Sequence, residues 1–311
     1  VLPVDILENP KSRPAYFGRN VGDVITRSQI QERLNLAVSR QRLVMAGVDE
    51  NRLNDLSKPV ALETYPVNEK GEEGARDSGA GFLMVFLVGF AIYLTILMYG
   101  QVILGAVVEE KETRIAEILL SSINSVPLMM GKLIGISLVA MTQLAIWGVT
   151  FAFGTRLLLS VSGIQGLNVP RLPALFAVYF LLFFLMGYFL YASLYALIGS
   201  MVTTTQEGGQ LAMPVVLLLV FGFYLAFPVI RSPSSPLAFW VSMVPFFAPI
   251  TMIIRIVSQT PPFWEIALSL FIGLAAVLAM LWLTARIYRV GMLMYGKRAS
   301  PAEAWRWARQ A

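Results

Sequence analysis

Five long apolar runs constrain the fold of this 311-residue chain more than any other feature. They lie at 79–107, 127–159, 172–201, 211–230 and 264–285. A helix needs about 20 predominantly apolar residues to cross a bilayer, and each run reaches that length. In lipid the backbone must satisfy its own hydrogen bonds, so such runs read as helices. The expected fold is an α-helical polytopic membrane protein with five spans. A further apolar stretch, 236–257, is broken by Pro245 and Pro249 and ends near Arg255. Proline removes backbone donors that lipid cannot replace, so this stretch reads as re-entrant or interfacial rather than spanning.

Composition agrees. The chain is 57% hydrophobic and 14% charged, with a mean hydropathy of +0.68, whereas a soluble domain carries about 25% charged residues. Residues 1–79 hold 11 Lys/Arg and 12 Asp/Glu, while residues 80–311 hold 13 Lys/Arg and 7 Asp/Glu. The basic excess therefore belongs to the membrane part, where it reports topology rather than a nucleic-acid partner. Arg286, Arg289, Lys297, Arg298, Arg306 and Arg309 crowd the C-terminal tail and place it in the cytoplasm. Counting back through five spans puts 108–126 and 203–210 in the cytoplasm. Residues 1–79, 160–170 and 231–262 then face outward, in a multi-pass protein of the cell membrane.

Residues 1–78 read as a small α/β extracytoplasmic domain and linker, and 79–311 as a transmembrane domain with a cytoplasmic tail at 286–311. Within the first part, 23–46 is a helix candidate stopped by Gly47, and Asp49 can cap a short second helix through Leu56. Residues 59–67 alternate as a strand, and 68–81 form a linker rich in Gly, Glu and Lys. The chain starts at Val1 and 1–79 contain no signal-like apolar run, so an earlier span is expected upstream, for six in the full protein.

Between the first two spans lies VEEKETRIAEILLSS, 108–122. Ile115, Ile118, Leu119 and Ile123 have helical spacing, and Glu109, Glu110, Lys111, Glu112, Arg114 and Glu117 take the remaining surface. Glu110 and Arg114 are four apart, as are Glu109 and Thr113, which allows pairing along one helix. An amphipathic helix between two spans lies at the membrane surface. It can float on lipid or be moved by a protein partner. Its four glutamates favour the partner, because lipid-surface helices are typically basic.

Catalytic chemistry is not indicated. The chain has no cysteine and no histidine, which removes disulfides, thiol nucleophiles and imidazole sites. It carries no HExxH, GxSxG or GxxxxGK[ST] pattern, so no catalytic or metal residue is assigned, and ATP cannot be held by a P-loop here. Lys132 and Arg156 lie near span ends and read as snorkelling cations. Gln206 and Glu207, in a polar QEGGQ stretch, read as an ordinary turn or as a second cytoplasmic contact. Phe239, Trp240, Phe246, Phe247, Phe263 and Trp264 read as interfacial anchors. The sharper alternative makes Pro245, Phe246, Phe247, Pro249 and Arg255 an outer gate. Trp305 and Trp307 fit a basic amphipathic tail on the inner surface.

These segments resemble a known family. VEEKETRIAEILLSS followed by PLMMGKLIG is similar to the membrane subunit of type-2 ABC exporters, close to the sodium-export permease NatB group. TTTQEGGQLAMP at 203–214, VPFFAPITMIIRI at 244–256 and RIYRVGMLMYGK at 286–297 agree. The resemblance implies six spans, an outward domain between the first and second, and a coupling helix between the second and third. It implies a separate ATP-binding subunit, carrying ATP and Mg, that docks on Glu109, Glu110, Lys111, Glu112, Arg114, Glu117 and Ile118. It also implies a second permease copy or homologue, with no cofactor on this chain. Sodium, drugs, lipids, peptides and cell-wall precursors are all open as cargo. The rival reading is a membrane-anchored sensor whose outward domain binds a ligand. A broken apolar segment at membrane depth favours a translocation path over a sensor. An intramembrane enzyme would need a catalytic pair that the sequence lacks.

Overall fold

The computed structural model describes residues 24–45, 80–162 and 174–294. The chain divides into two compact units, Val1–Thr64 and Tyr65–Ala311. In the first, the described residues form one helix, α1 (Val24–Met45), where the sequence predicts 23–46. No strand occurs among the described residues, so the expected α/β character of this unit has no support. The expected strand at 59–67 and the boundary at 78/79 lie outside the described residues.

The membrane unit is helical throughout its described length. Its elements are α2 (Ala80–Glu112), α3 (Ile115–Ser122), α4 (Ser125–Ser162), α5 (Ala174–Met201), α6 (Thr205–Tyr224), α7 (Ala226–Arg231), α8 (Pro236–Met243), α9 (Ala248–Ser258) and α10 (Phe263–Met292). Five stretches are long and apolar enough to cross a membrane: Leu83–Glu112, Ser125–Thr155, Leu175–Met201, Thr205–Arg231 and Phe263–Met292. They match the five runs in the sequence, and the first, fourth and fifth extend beyond their runs by a turn or more at one end.

Helix α5 is the centre of the unit. In its most apolar stretch 50% of residues are buried, against 17% for α4. It packs against α2 and α10 along much of its length. Phe183, Phe184, Tyr188, Tyr191 and Tyr195 supply its largest buried side chains. Two of these rings also carry a hydrogen bond at the hydroxyl. Tyr188 donates to the Leu133 carbonyl at 3.0 Å and Tyr191 to the Phe246 carbonyl at 2.9 Å. Aromatic side chains thus fill the core while their polar tips tie α5 to α4 and to the turn before α9.

The QEGGQ stretch is neither turn nor hinge. Helix α6 starts at Thr205, so Gln206–Gln210 form its first turns. The reason is capping. The Thr204 hydroxyl accepts from the Glu207 amide at 3.2 Å, and the Glu207 carboxylate accepts from the Thr203 amide at 3.2 Å and its hydroxyl at 2.8 Å. This reciprocal arrangement satisfies donors that a helix start leaves open, and it outweighs the two glycines.

The proline-broken stretch forms a helical hairpin. Helix α8 runs for eight residues, about 12 Å at 1.5 Å per residue, too short to span. Pro236 stands at its first turn, where the Ser235 hydroxyl accepts from the Ala238 amide at 3.2 Å. After a turn at Val244–Phe247 the chain returns as α9, in which Ala248 to Ile256 are all buried. The stretch is broken at Pro245 as the sequence predicts, and its second arm is enclosed by protein.

Candidate functional site

Two constructions stand at opposite ends of the membrane unit. The first is the corner made by α2, α3 and α4. The expected single helix over 108–122 is broken. Residues 108–112 are the last turn and a half of α2. A turn at Thr113–Arg114 follows, and only Ile115–Ser122 form the amphipathic helix. Arg114 holds φ at 59°, in the left-handed region where an L-residue ends a helix. The Thr113 hydroxyl donates to the Glu109 carbonyl at 2.7 Å, which closes the end of α2.

Just before the break, Lys111 turns inward. Its side chain is buried, and its ammonium donates to the Ser200 carbonyl at the end of α5, 2.7 Å away. This contact satisfies one of the carbonyls that a helix C-terminus leaves open. The Glu207 carboxylate lies near enough to act on the Lys111 charge. Glu110 does not pair with Arg114 as the spacing suggests; it forms an ion pair with Lys132 of α4. Lys132 is thus directed across the corner, not snorkelling. The Arg156 side chain lies outside the described residues.

The seven coupling candidates separate accordingly. Glu110 and Lys111 turn inward and fasten α2 to α4 and α5. Glu109, Glu112, Arg114 and Ile118 are exposed. The Glu117 side chain is outside the described residues. On α3, Ala116 is fully buried while Ile118 is 70% exposed. Ile115, Ile123 and Val126 are also exposed, so an apolar surface at this corner faces away from the protein. Of the second pair, Gln206 is exposed and Glu207 is held by its capping bonds.

The second construction is the hairpin and its seat. Arg255 is 4% exposed and carries three bonds. Its guanidinium donates to the Pro233 carbonyl (2.9 Å), the Ser242 hydroxyl (2.8 Å) and the Glu265 carboxylate (2.7 Å). Ser269 adds a bond to the Ser242 carbonyl at 2.7 Å. One side chain of α9 thus joins the turn entering the hairpin, α8 and the first turn of α10. Pro249 is buried, while Pro245, Phe246 and Phe247 are half-buried at the hairpin tip. Phe246 meets Tyr191 edge-on at 6.0 Å, and Phe247 meets Phe221 of α6 at 5.7 Å. The aromatic residues divide. Trp240, Phe263 and Trp264 are exposed and suit interfacial anchoring. Phe246 and Phe247 pack on the spans.

Sequence reading missed Ser200, Ser242, Ser269 and Tyr191 as parts of these sites. A serine or tyrosine in an apolar run carries no partner in its spacing. Glu265 was legible. A buried arginine demands a counter-charge, and Glu265 is the nearest carboxylate to Arg255 along the chain.

Comparison with known proteins agrees with this architecture. Residues 9–286 match the family model described as ABC-2 family transporter protein. An uncharacterized protein YhaP of Bacillus subtilis is 32% identical over 291 residues, covering 92% of this chain and 69% of the relative. An uncharacterized protein MJ1024 of Methanocaldococcus jannaschii is 27% identical over 295 residues, covering 95% of this chain and 69% of the relative. No solved structure matches the chain. With most of its length within the family model, this multi-pass membrane protein belongs to the ABC-2 family of transporters.

Proposed function

We propose that the chain is the permease subunit of an ATP-driven exporter, and that a separate ATP-binding subunit docks on the α2–α3–α4 corner. Membership of a transporter family supports a permease role. The observation that carries the docking assignment is the exposed apolar face of α3, Ile115 and Ile118, on a corner fastened to α4 and α5 by Glu110 and Lys111. A helix held this firmly transmits a push into the spans. ATP and Mg belong to the partner subunit in this reading. A second copy of the chain or a homologue completes the pathway, with the corner cytoplasmic and the hairpin outward. The likeness to sodium-export permeases makes sodium the first cargo to assay, followed by drugs and lipids.

The test is co-purification of an ATP-binding subunit from the native membrane, comparing wild type with Ile118→Glu. Ile118 is exposed, so the fold tolerates the change. Burial of one isoleucine at an interface contributes about 2 kcal/mol, so the subunit is expected to be lost and its stimulated ATPase activity with it. Unchanged co-purification and activity would remove α3 as the docking element. Topology is checked in the same cysteine-free background. Ser121→Cys is expected to label only from the cytoplasm and Ser234→Cys only from outside; the reverse pattern inverts the assignment.

A further inference from the structure

A cavity of about 680 Å³ opens between the first turns of α4 and the last turns of α10, beside α3. Its inner wall is apolar, formed by Met129, Met130 and Leu281. Arg286 and Arg289 line it from α10, three residues apart and so on one helix face. The Arg286 guanidinium sits 4.2 Å from the centroid of the Trp282 ring, a cation–π contact that keeps it at the cavity. Trp282 is itself exposed, as an indole at the membrane–water boundary is. The amino end of α4 adds the positive pole of a long helix.

Two cations beside an apolar wall match an amphiphile with a phosphate head. A free phosphate would engage the arginines and leave the wall uncovered. A lipid also accounts for what continues from the cavity into the span region. Ile134 and Leu138 on α4, with Leu274 and Leu278 on α10, are all exposed apolar side chains leading away from it. We infer that this cavity seats the headgroup phosphate of an anionic phospholipid. Arg286 and Arg289 take the phosphate oxygens, and the acyl chains lie along α4 and α10. The site is independent of the ATPase docking reading, since it requires only that the chain be embedded in a bilayer. It also bridges α4 to α10 directly beside α3, so its occupant touches the corner described above.

Native mass spectrometry of the full chain in detergent tests the site. Phosphatidylglycerol and phosphatidylcholine with identical acyl chains are titrated, with inorganic phosphate as competitor. Phosphatidylglycerol is expected to bind more tightly. Arg286→Gln and Arg289→Gln are each expected to weaken it about fivefold without changing phosphatidylcholine binding. Equal binding of the two lipids, or an unchanged preference in both variants, overturns the inference. Displacement of the lipid by inorganic phosphate alone would reassign the cavity to a free anion. A second measurement does not depend on the arginine variants folding. Val126 lines the cavity and is exposed. Maleimide labelling of Val126→Cys is expected to be slower in phosphatidylglycerol nanodiscs than in phosphatidylcholine nanodiscs. Equal rates would overturn the proposal independently.

Discussion

Arg255 shows how one residue can determine the fate of an irregular segment. A buried guanidinium survives only with a counter-charge and with its donors engaged, and here Pro233, Ser242 and Glu265 supply both. Removing one partner is worse than removing both. Glu265→Ala leaves a buried cation and is expected to cost about 3–5 kcal/mol. Arg255→Met combined with Glu265→Leu is expected to recover most of that loss. Thermal unfolding in detergent separates the cases; a single variant as stable as wild type would mean the pair does not hold the hairpin. Arg114 offers a second test at this scale. A β-branched residue is poorly suited to φ of 59°, so Arg114→Val is expected to destabilise the corner by about 1–3 kcal/mol, whereas Arg114→Gly should be tolerated. A melting temperature unchanged by valine would show that the turn relaxes freely. Arg255 was singled out from the sequence but its partner Glu265 was not, although charges in this apolar part of the chain are few and a buried one must be matched. The left-handed turn was not legible, since arginine carries no signal for it. Likewise the Glu110–Arg114 spacing pointed along one helix, while Glu110 found Lys132 on another.

At the scale of elements, the hairpin is accommodated by glycines on three spans. A Cβ at Gly187 of α5 would stand 2.6 Å from Pro249, one at Gly89 of α2 would stand 2.8 Å from Ile254, and one at Gly222 of α6 would stand 2.9 Å from Phe247. Isoleucine can swing aside, but the proline ring cannot. Gly187→Ala therefore forces α9 away from α5 and is expected to cost about 1–3 kcal/mol through overpacking. Gly135→Ala on α4, where a Cβ would meet nothing within 4 Å, is the matched control. Equal melting of the two variants would show that the seat is not close-packed in solution. The five spans and the break in the hairpin could be read from run length and from Pro245 and Pro249. The seat could not, because a glycine in an apolar run looks the same whether it faces lipid or another helix. The break at Thr113 was hidden for a related reason. It lies beside a contact between Lys111 and Ser200, 89 residues apart, and local periodicity carries no such information. The start of α6 was misread because two glycines were weighed above the Thr204–Glu207 cap.

For the whole membrane unit, the same two helices reach both constructions. Helix α2 presents Gly89 to the hairpin and Lys111 to the corner, about 33 Å apart along its axis. Helix α5 presents Gly187 and Tyr191 to the hairpin and the Ser200 carbonyl to Lys111. These helices pack on each other along much of their length, and close-packed interiors transmit displacement rather than absorb it. A movement of α3 imposed by a docked subunit would therefore reach the hairpin as a shift of the α2–α5 pair. Ser234, exposed beside the Pro233 carbonyl that Arg255 holds, is a reporter at the far end. In a Ser234→Cys background with the ATP-binding subunit present, the labelling rate is expected to change on adding ATP. With Ile118→Glu in the same chain, the rate should stay at its ATP-free value. A change that survives Ile118→Glu would mean ATP acts on the hairpin by another route. No change in either background would show that the α2–α5 pair does not carry the movement, even if the subunit docks where the apolar face of α3 invites it.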